Sequence, residues 1–310
     1  MEAEFNGTFI TLGGFVEIDK YRYLYFFILL ILYILILCSN CTIVCLIWIH
    51  GDLHEPMYIF IAALSLNSLL FCTASYPKLF IDVLSQKQII SHSVCMFQYF
   101  VLYSIGISDF LLLSAMSFDR YVSICKPLQY PTIMGKRTVI VLLTVAWSLP
   151  ACEVVVATVI NYKQKLCEFK TNDIFCNNSI LKLHCVRSTI LIFYGVFISM
   201  TAVVVPVTFI LFTYIKIFIV TYHSGAKVRK RAAETCLPHL IVLSIFLGLS
   251  FFDVIITSLE SKLLNHVRFI MTLQILVYNP LFNPIIYGVK MKEIWKYIQR
   301  LFYQLVNKRI

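Results

Sequence analysis

The hydrocarbon core of a bilayer is about 30 Å thick, so a helix rising about 1.5 Å per residue needs about 20 charge-free residues to cross it. Four stretches of this chain meet that demand unbroken: Tyr23–Ile49, Pro56–Pro77, Ser188–Ile215 and Phe269–Val289. Three more carry one acid each: Gln88–Cys125 has Asp109 ahead of its Asp119-Arg120 pair, Thr138–Tyr162 has Glu153, and Thr235–Leu259 has Asp253. Alternation of period two does not recur in ten-residue blocks, which argues against a membrane barrel and leaves helices to satisfy the backbone inside lipid. The expected fold is an all-α membrane protein, a bundle of seven transmembrane helices.

Composition agrees. The chain of 310 residues is 60% apolar and 14% charged, against about 45–50% and about 25% for a soluble domain. That hydrophobicity also excludes a disordered chain. In a soluble protein a net charge of +10 would suggest nucleic acid, so the placement of the charges decides. Seven is odd, so the termini lie on opposite sides, and the glycosylation pattern Asn6-Gly7-Thr8 puts the N-terminus outside. The same pattern at Asn40-Cys41-Thr42 falls within the first span, out of reach of modification. On this orientation the inner segments hold 15 Lys and Arg against 5 acids, and the outer parts 11 against 10. The excess faces the anionic inner leaflet, which makes the bilayer the partner and excludes nucleic acid. The start Met1-Glu2-Ala3-Glu4 lacks the basic and apolar regions of a cleaved signal peptide. Residues 1–22 are expected as the extracellular N-terminus, 23–289 as the seven-helix domain and 290–310 as the cytoplasmic tail of a multi-pass plasma-membrane protein. In that tail Met291, Ile294, Trp295, Ile298, Leu301 and Phe302 recur at helical spacing among Lys290, Lys292, Lys296 and Arg300. This predicts an interfacial amphipathic helix.

Seven of the 11 cysteines lie within spans or at their inner ends, where they read as small apolar filler. Cys95 opens the third span on the outer side, and Cys167, Cys176 and Cys185 are nine residues apart in the following outer loop. Four thiols on an oxidising face predict disulfides, with three connectivities open. Zinc is the rival reading, but His184 adjoins Cys185 rather than standing at ligand spacing.

Catalysis has little support: there is no His-Glu-x-x-His, no Gly-rich phosphate loop and no Ser-His-acid set with a route for water, so neither enzyme, metal nor cofactor is expected. A small-solute transporter is the alternative from another class, because Asp109, Glu153 and Asp253 would serve an ion path. Transporters usually carry internal repeats, and the two halves of this chain show no self-similarity.

The inner helix ends carry the most specific strings. Met116-Ser117-Phe118-Asp119-Arg120-Tyr121-Val122-Ser123-Ile124-Cys125 closes the third span. Leu53-His54-Glu55-Pro56-Met57-Tyr58 opens the second, Trp147 marks the fourth, and Pro206 and Thr213-Tyr214 lie in the fifth. Arg231-Ala232-Ala233-Glu234-Thr235-Cys236-Leu237-Pro238-His239-Leu240 begins the sixth, and Pro280-Leu281-Phe282-Asn283-Pro284-Ile285-Ile286-Tyr287-Gly288 ends the seventh. Taken in order, these resemble the signatures of odorant receptors, within the rhodopsin-like G-protein-coupled receptors, over residues 5–303. Ser39-Asn40 stands where Gly-Asn is usual, Ser68 where most such receptors carry an acid, and Leu247 where Tyr is frequent. With Asn67 and Tyr76-Pro77-Lys78, these departures are similar to the fish branch. A non-olfactory rhodopsin-like receptor is the alternative within the class. An opsin would need a Lys between Phe269 and Val289, and an aminergic receptor an Asp at Leu102.

The resemblance implies a small odorant bound within the bundle and activation of a heterotrimeric G protein, of the stimulatory olfactory type, in sensory-neuron cilia. The ligand set carried over is Leu102, Tyr103, Gly106 and Ile107 of the third helix, and Ser199 and Ala202 of the fifth. Ser250, Phe251 and Val254 of the sixth and Leu273 and Leu276 of the seventh complete it. The implied switch and coupling groups are Asp109, Asp119, Arg120, Tyr121, Tyr214, Asn283, Pro284 and Tyr287. Asp119 is the expected resting partner of Arg120. Glu234 is a second candidate, disfavoured by Arg229, Lys230 and Arg231 beside it. Asp109 is expected to meet Asn40, Ser65, Ser68, Asn279 and Asn283. Among the disulfide connectivities the family pattern selects Cys95 with Cys176 and Cys167 with Cys185.

Overall fold

A computed structural model describes residues 9–186, 188–258 and 264–307. Seven long helices carry the expected spans: α1 (Ile18–Ile49), α2 (Pro56–Leu84), α3 (His92–Cys125), α4 (Lys136–Tyr162), α5 (Thr189–Tyr222), α6 (Ala226–Ser258) and α7 (Leu264–Lys290). Over their described residues six are long and apolar enough to cross a membrane, and α6 adds the shorter apolar stretch Cys236–Leu249. An eighth helix, α8 (Lys292–Asn307), follows α7 after a single break and is strongly amphipathic, as its spacing predicts. Asn6 lies outside the described residues.

The packing explains the composition. Leu24, Phe27, Ile28, Ile31, Ile34 and Leu35 stand exposed along α1, an apolar patch that water would not tolerate and lipid does. Half of the residues of α3 are buried, because it packs against α2, α4, α5 and α6, and α7 closes the ring by packing on α1, α2 and α6. The main core follows from that centre: Leu112, Leu113 and Met116 of α3 meet Phe60, Ile61 and Leu64 of α2 and Tyr287 of α7.

Prolines sit inside the helices without ending them: Pro77 in α2, Pro150 in α4, Pro238 in α6, Pro280 and Pro284 in α7. The charge-free window of the second span stops at Pro77, yet α2 runs on to Leu84. The two charges it takes on, Lys78 and Asp82, lie one turn apart and pair with each other. In α5 the five residues Met200–Val204 form a π-turn directly ahead of Pro206. A proline ring crowds the carbonyl four residues back, and the wider turn relieves that contact.

At the end of the bundle that holds the α2–α3 and α4–α5 connections, the chain makes a small sheet that its sequence does not announce. Strand β1 (Phe9–Leu12) lies between β2 (Ile89–Ser91), antiparallel to it, and β3 (Lys170–Thr171), parallel to it. Thr11 pairs with Ile89 on one side and Lys170 on the other. Ile10 and Leu12 point down into the bundle and are almost wholly buried. Just beyond, Gly14 passes so close to the loop that a Cβ on it would lie 2.5 Å from the Asp173 carbonyl carbon.

Candidate functional site

The α4–α5 loop is fastened to α3 by one disulfide and three hydrogen bonds, and a second disulfide closes the loop on itself. Cys95 is disulfide-bonded to Cys176 and Cys167 to Cys185, the pairing that the resemblance implies. Beside the first bridge the Cys176 N–H donates to Gln98 Oε1 at 3.0 Å, Tyr99 Oη donates to Asn178 Oδ1 at 3.2 Å, and the Asn178 N–H donates to Tyr103 Oη at 3.0 Å. Under this lid Ile10, Leu12, Ile180 and Leu183 pack with Tyr99, Ile107, Val154, Ala157 and Ala202 in one apolar cluster.

Of the expected ligand residues, Tyr103, Ile107 and Ala202 meet in that cluster, and Leu102 is buried close by on α3. A Cβ at Gly106 would meet nothing within 4 Å, so open space lies beside it. Leu273 and Leu276 belong to a different cluster, with Tyr33, Ile36, Tyr76 and Phe269 between α1, α2 and α7. Two of the set turn away from the interior. Ser199 is exposed, with its hydroxyl bonded back to Gly195 O, and Phe251 is 70% exposed. For Ser199 the cause is the π-turn that follows it, which rotates the first half of α5 relative to an unbroken helix. Phe251 stands on the outer side of α6, and nothing in the structure explains why it departs from the expected face. The side chains of Ser250 and Val254 lie outside the described residues.

Mid-bundle, Asp109 is 9% exposed and its carboxylate accepts from Asn67 Nδ2 at 2.8 Å. Asn67 is fully buried, donates also to the Ile105 carbonyl at 2.8 Å, and accepts from Trp147 Nε1 at 3.2 Å, so one amide joins α2, α3 and α4. Two of the expected neighbours of Asp109 are otherwise engaged: Asn40 donates to the Pro280 carbonyl at 2.7 Å and Ser68 to Leu64 O at 3.1 Å. The reason is that Asn67 already occupies the α2–α3 contact facing Asp109. Sequence reasoning noted Asn67 only as a departure from a pattern. Its signal was an amide one position from Ser68, on a helix facing an acid.

At the Arg120 end, Arg120 binds Asp119 through Nε at 2.9 Å and a terminal nitrogen at 2.5 Å, and Tyr130 Oη donates to the same carboxylate at 2.8 Å. Burial and the adjacent Asp119 carboxylate hold the Tyr130 hydroxyl above its usual range. Glu234 turns to Lys292 of α8 at 2.8 Å instead of Arg120. Tyr214 shares a 2.5 Å hydrogen bond with His239 Nδ1, tying α5 to α6. Tyr287 is 1% exposed, with its hydroxyl free of any partner among the described residues, and Asn283 and Pro284 are buried near it on α7. His239, wholly buried, is a residue whose motif was read but whose contact was not anticipated. On the far side of α8, Tyr297 donates to Asp52 at 3.1 Å and lies against the His50 ring at 4.0 Å between centroids.

The arrangement holds no group of three or more potential metal ligands among the described residues. What it offers is a lidded apolar interior at one end, a closed set of helix-to-helix latches at the other, and a buried polar node between them. Comparison with known proteins gives the same architecture a family. The sequence model described as olfactory receptor matches residues 29–305. Human olfactory receptor 10J4 is 31% identical over 93% of this chain and 93% of its own length, and human olfactory receptor 10AG1 is 33% identical over 95% and 98%. Olfactory receptor 6E1 of Mus musculus is 30% identical over 98% of this chain and 97% of its own. With relatives matched over more than nine-tenths of both chains and the family model spanning most of the bundle, the chain belongs to the olfactory receptor family, non-enzymatic G-protein-coupled receptors seated in a membrane by several helices.

Proposed function

We propose that this receptor binds a small odorant under the lid, against Leu102, Tyr103, Gly106, Ile107 and Ala202, and that binding favours a state with its Arg120 end open. The opened end engages a heterotrimeric G protein of the stimulatory, olfactory type. In this reading residues 1–22 lie outside the cell, 23–289 span the membrane of a sensory cilium and 290–310 lie on its inner leaflet, where the basic residues of α8 face anionic lipid. The observation that carries the reading is the pair of latches at the Arg120 end: Asp119 holds Arg120 within α3, and Tyr214 with His239 holds α5 to α6. The Tyr214–His239 contact must be exchanged for α6 to part from α5, and Arg120 must leave Asp119 to meet a partner in the opened end, so ligand binding acts through the equilibrium between two packings. Asp109 and Asn67 stand between the two ends and serve as the switch element.

Arg120 lies 14 residues along α3 from Gly106, so at about 1.5 Å per residue it is about 20 Å from the ligand site and does not touch a small odorant. Arg120→Ala, Tyr214→Phe and Tyr287→Phe, each assayed for surface level, ligand affinity and nucleotide exchange in reconstituted G protein, test the proposal. The expected result is weakened exchange with ligand affinity retained. Normal exchange in all three variants overturns the mechanism, and equal loss of affinity and exchange shows misfolding in its place.

A further inference from the structure

Glu153 lies in the membrane-spanning length of α4 and has no role in the reading above. The buried stripe of α4 runs through Ala146, Pro150, Glu153, Val154, Ala157 and Asn161, while Ile140, Val141, Val145, Val155 and Val156 are exposed on the opposite side. Glu153 therefore belongs to the face that packs into the bundle, and it is 8% exposed. Its backbone carbonyl accepts from Tyr194 Oη at 3.0 Å, which sets α5 against it. The next residues along that face, Val154 and Ala157, pack in the same cluster as Tyr103, Ile107, Tyr194 and Ala202. The acid thus stands at the seam of α3, α4 and α5, beside the ligand residues.

No ion pair or hydrogen bond reaches the Glu153 carboxylate among the described residues. Two other oxygens on α3 and α4, both sealed from the surface, also lack a partner among the described residues. Asn161, two turns along α4, spends its amide nitrogen on Ala157 O and leaves Oδ1 without a partner, and Ser104 Oγ on α3 has none. An unpartnered ionisable group inside a membrane protein costs several kcal/mol or more, and such groups mark functional positions. A wall with a carboxylate and idle acceptors set in apolar side chains complements a molecule that has N–H donors, positive charge and a hydrocarbon body.

The geometry points to a protonated alkylamine as the ligand class of this receptor, its ammonium on Glu153 and its chain along Ile107 and Ala202 toward the open space beside Gly106. The anchor stands on α4 and not at Leu102 of α3, so the ammonium sits to one side of the bundle axis. This inference rests on the receptor reading, because it specifies the ligand of that same site.

The test uses the full-length receptor with G protein and three series of straight-chain probes of four to ten carbons: primary amines, alcohols and carboxylic acids at neutral pH. Amines are expected to be the most potent in the wild type. In Glu153→Gln, at matched surface level, their half-maximal concentration should rise by roughly 10- to 100-fold, the worth of one hydrogen bond to a charged group, with Glu153→Asp partly restoring potency. Alcohols or acids outranking amines in the wild type overturns the inference even where no variant folds. So does amine potency in Glu153→Gln within about twofold of wild type. Basal nucleotide exchange over receptor-free membranes is read in the same wells. Exchange with no amine response removes the amine assignment alone, and absence of both basal and probe-driven exchange removes the receptor reading with it.

Discussion

Replacing Asn67 by Ala removes three hydrogen bonds at once, those to Asp109, to the Ile105 carbonyl and from Trp147. Side-chain bonds between membrane helices average about 0.6 kcal/mol, with a ceiling near 1.7, because the unpacked helix finds other partners in the bilayer. Three at the average give about 2 kcal/mol. The true cost should exceed this, because Asn67 is 0% exposed and no solvent enters to replace it. The Trp147 N–H and the Asp109 oxygen are then stranded, at about 1–3 kcal/mol for each buried unsatisfied group. Even at about 1 kcal/mol for each of the two, a total of about 4 kcal/mol or more is expected, above that of Asp109→Ala, which strands only one of the Asn67 donors. Equilibrium unfolding in mixed micelles of wild type, Asn67→Ala, Asp109→Ala and the double variant closes a cycle. The coupling should be about 1 kcal/mol or more, since the second substitution removes a partner already lost. A cost for Asn67→Ala below about 0.5 kcal/mol, or additivity within about 0.5 kcal/mol, would refute the view that this amide organises the contact of three helices.

Peptide mapping without reduction should recover Cys95 linked to Cys176 and Cys167 to Cys185, and any other linkage of Cys95 overturns the lid as described. Glu234 concerns pH: its bond to the Lys292 ammonium, and that charge, hold its carboxyl below the usual carboxylate range. A depressed acid stabilises the folded contact above its unfolded value and loses that contribution as pH falls through the lowered one. The α6–α8 contact should therefore be complete at neutral pH and dissolve only in acid, as read by a spin label at Tyr303, which is 70% exposed. Being exposed, the contact should also weaken in high salt. The same acid transition in Lys292→Ala would show that another group is responsible.

The seven spans were legible because bilayer thickness imposes a length on any charge-free helix, and that length survives without knowledge of packing. Boundaries were less so. Pro77-Lys78 looks like an end by charge, and only the pairing of Lys78 with Asp82 shows how α2 carries both past it. The resting partner of Arg120 was readable, since Asp119 is its neighbour in the chain. The partner of Asp109 was not, because the choice among Asn40, Ser68 and Asn67 depends on how α1 and α2 are rotated against α3. Ser199 was misplaced by a single π-turn, which spacing rules for a regular helix do not contain. The strand Phe9–Leu12 left no usable signal: four residues of mixed character become a strand only when two remote segments offer edges.

That strand has a consequence for the order in which the molecule is made. β1 is synthesised first and sits in the middle of its sheet, with no partner until Ile89–Ser91 emerges and no second partner until Lys170–Thr171 follows. Closing so long a loop carries an entropic cost that local helix formation does not. α1 and α2 are therefore made before the first residues have any partner, and α3 and α4 before they have both. Ile10 and Leu12, which end up buried beneath the lid, spend that interval uncovered. The sheet is thus a late seal on the bundle. Variants that weaken β1 should leave the helices assembled and show themselves first as a slow or incomplete last step of maturation.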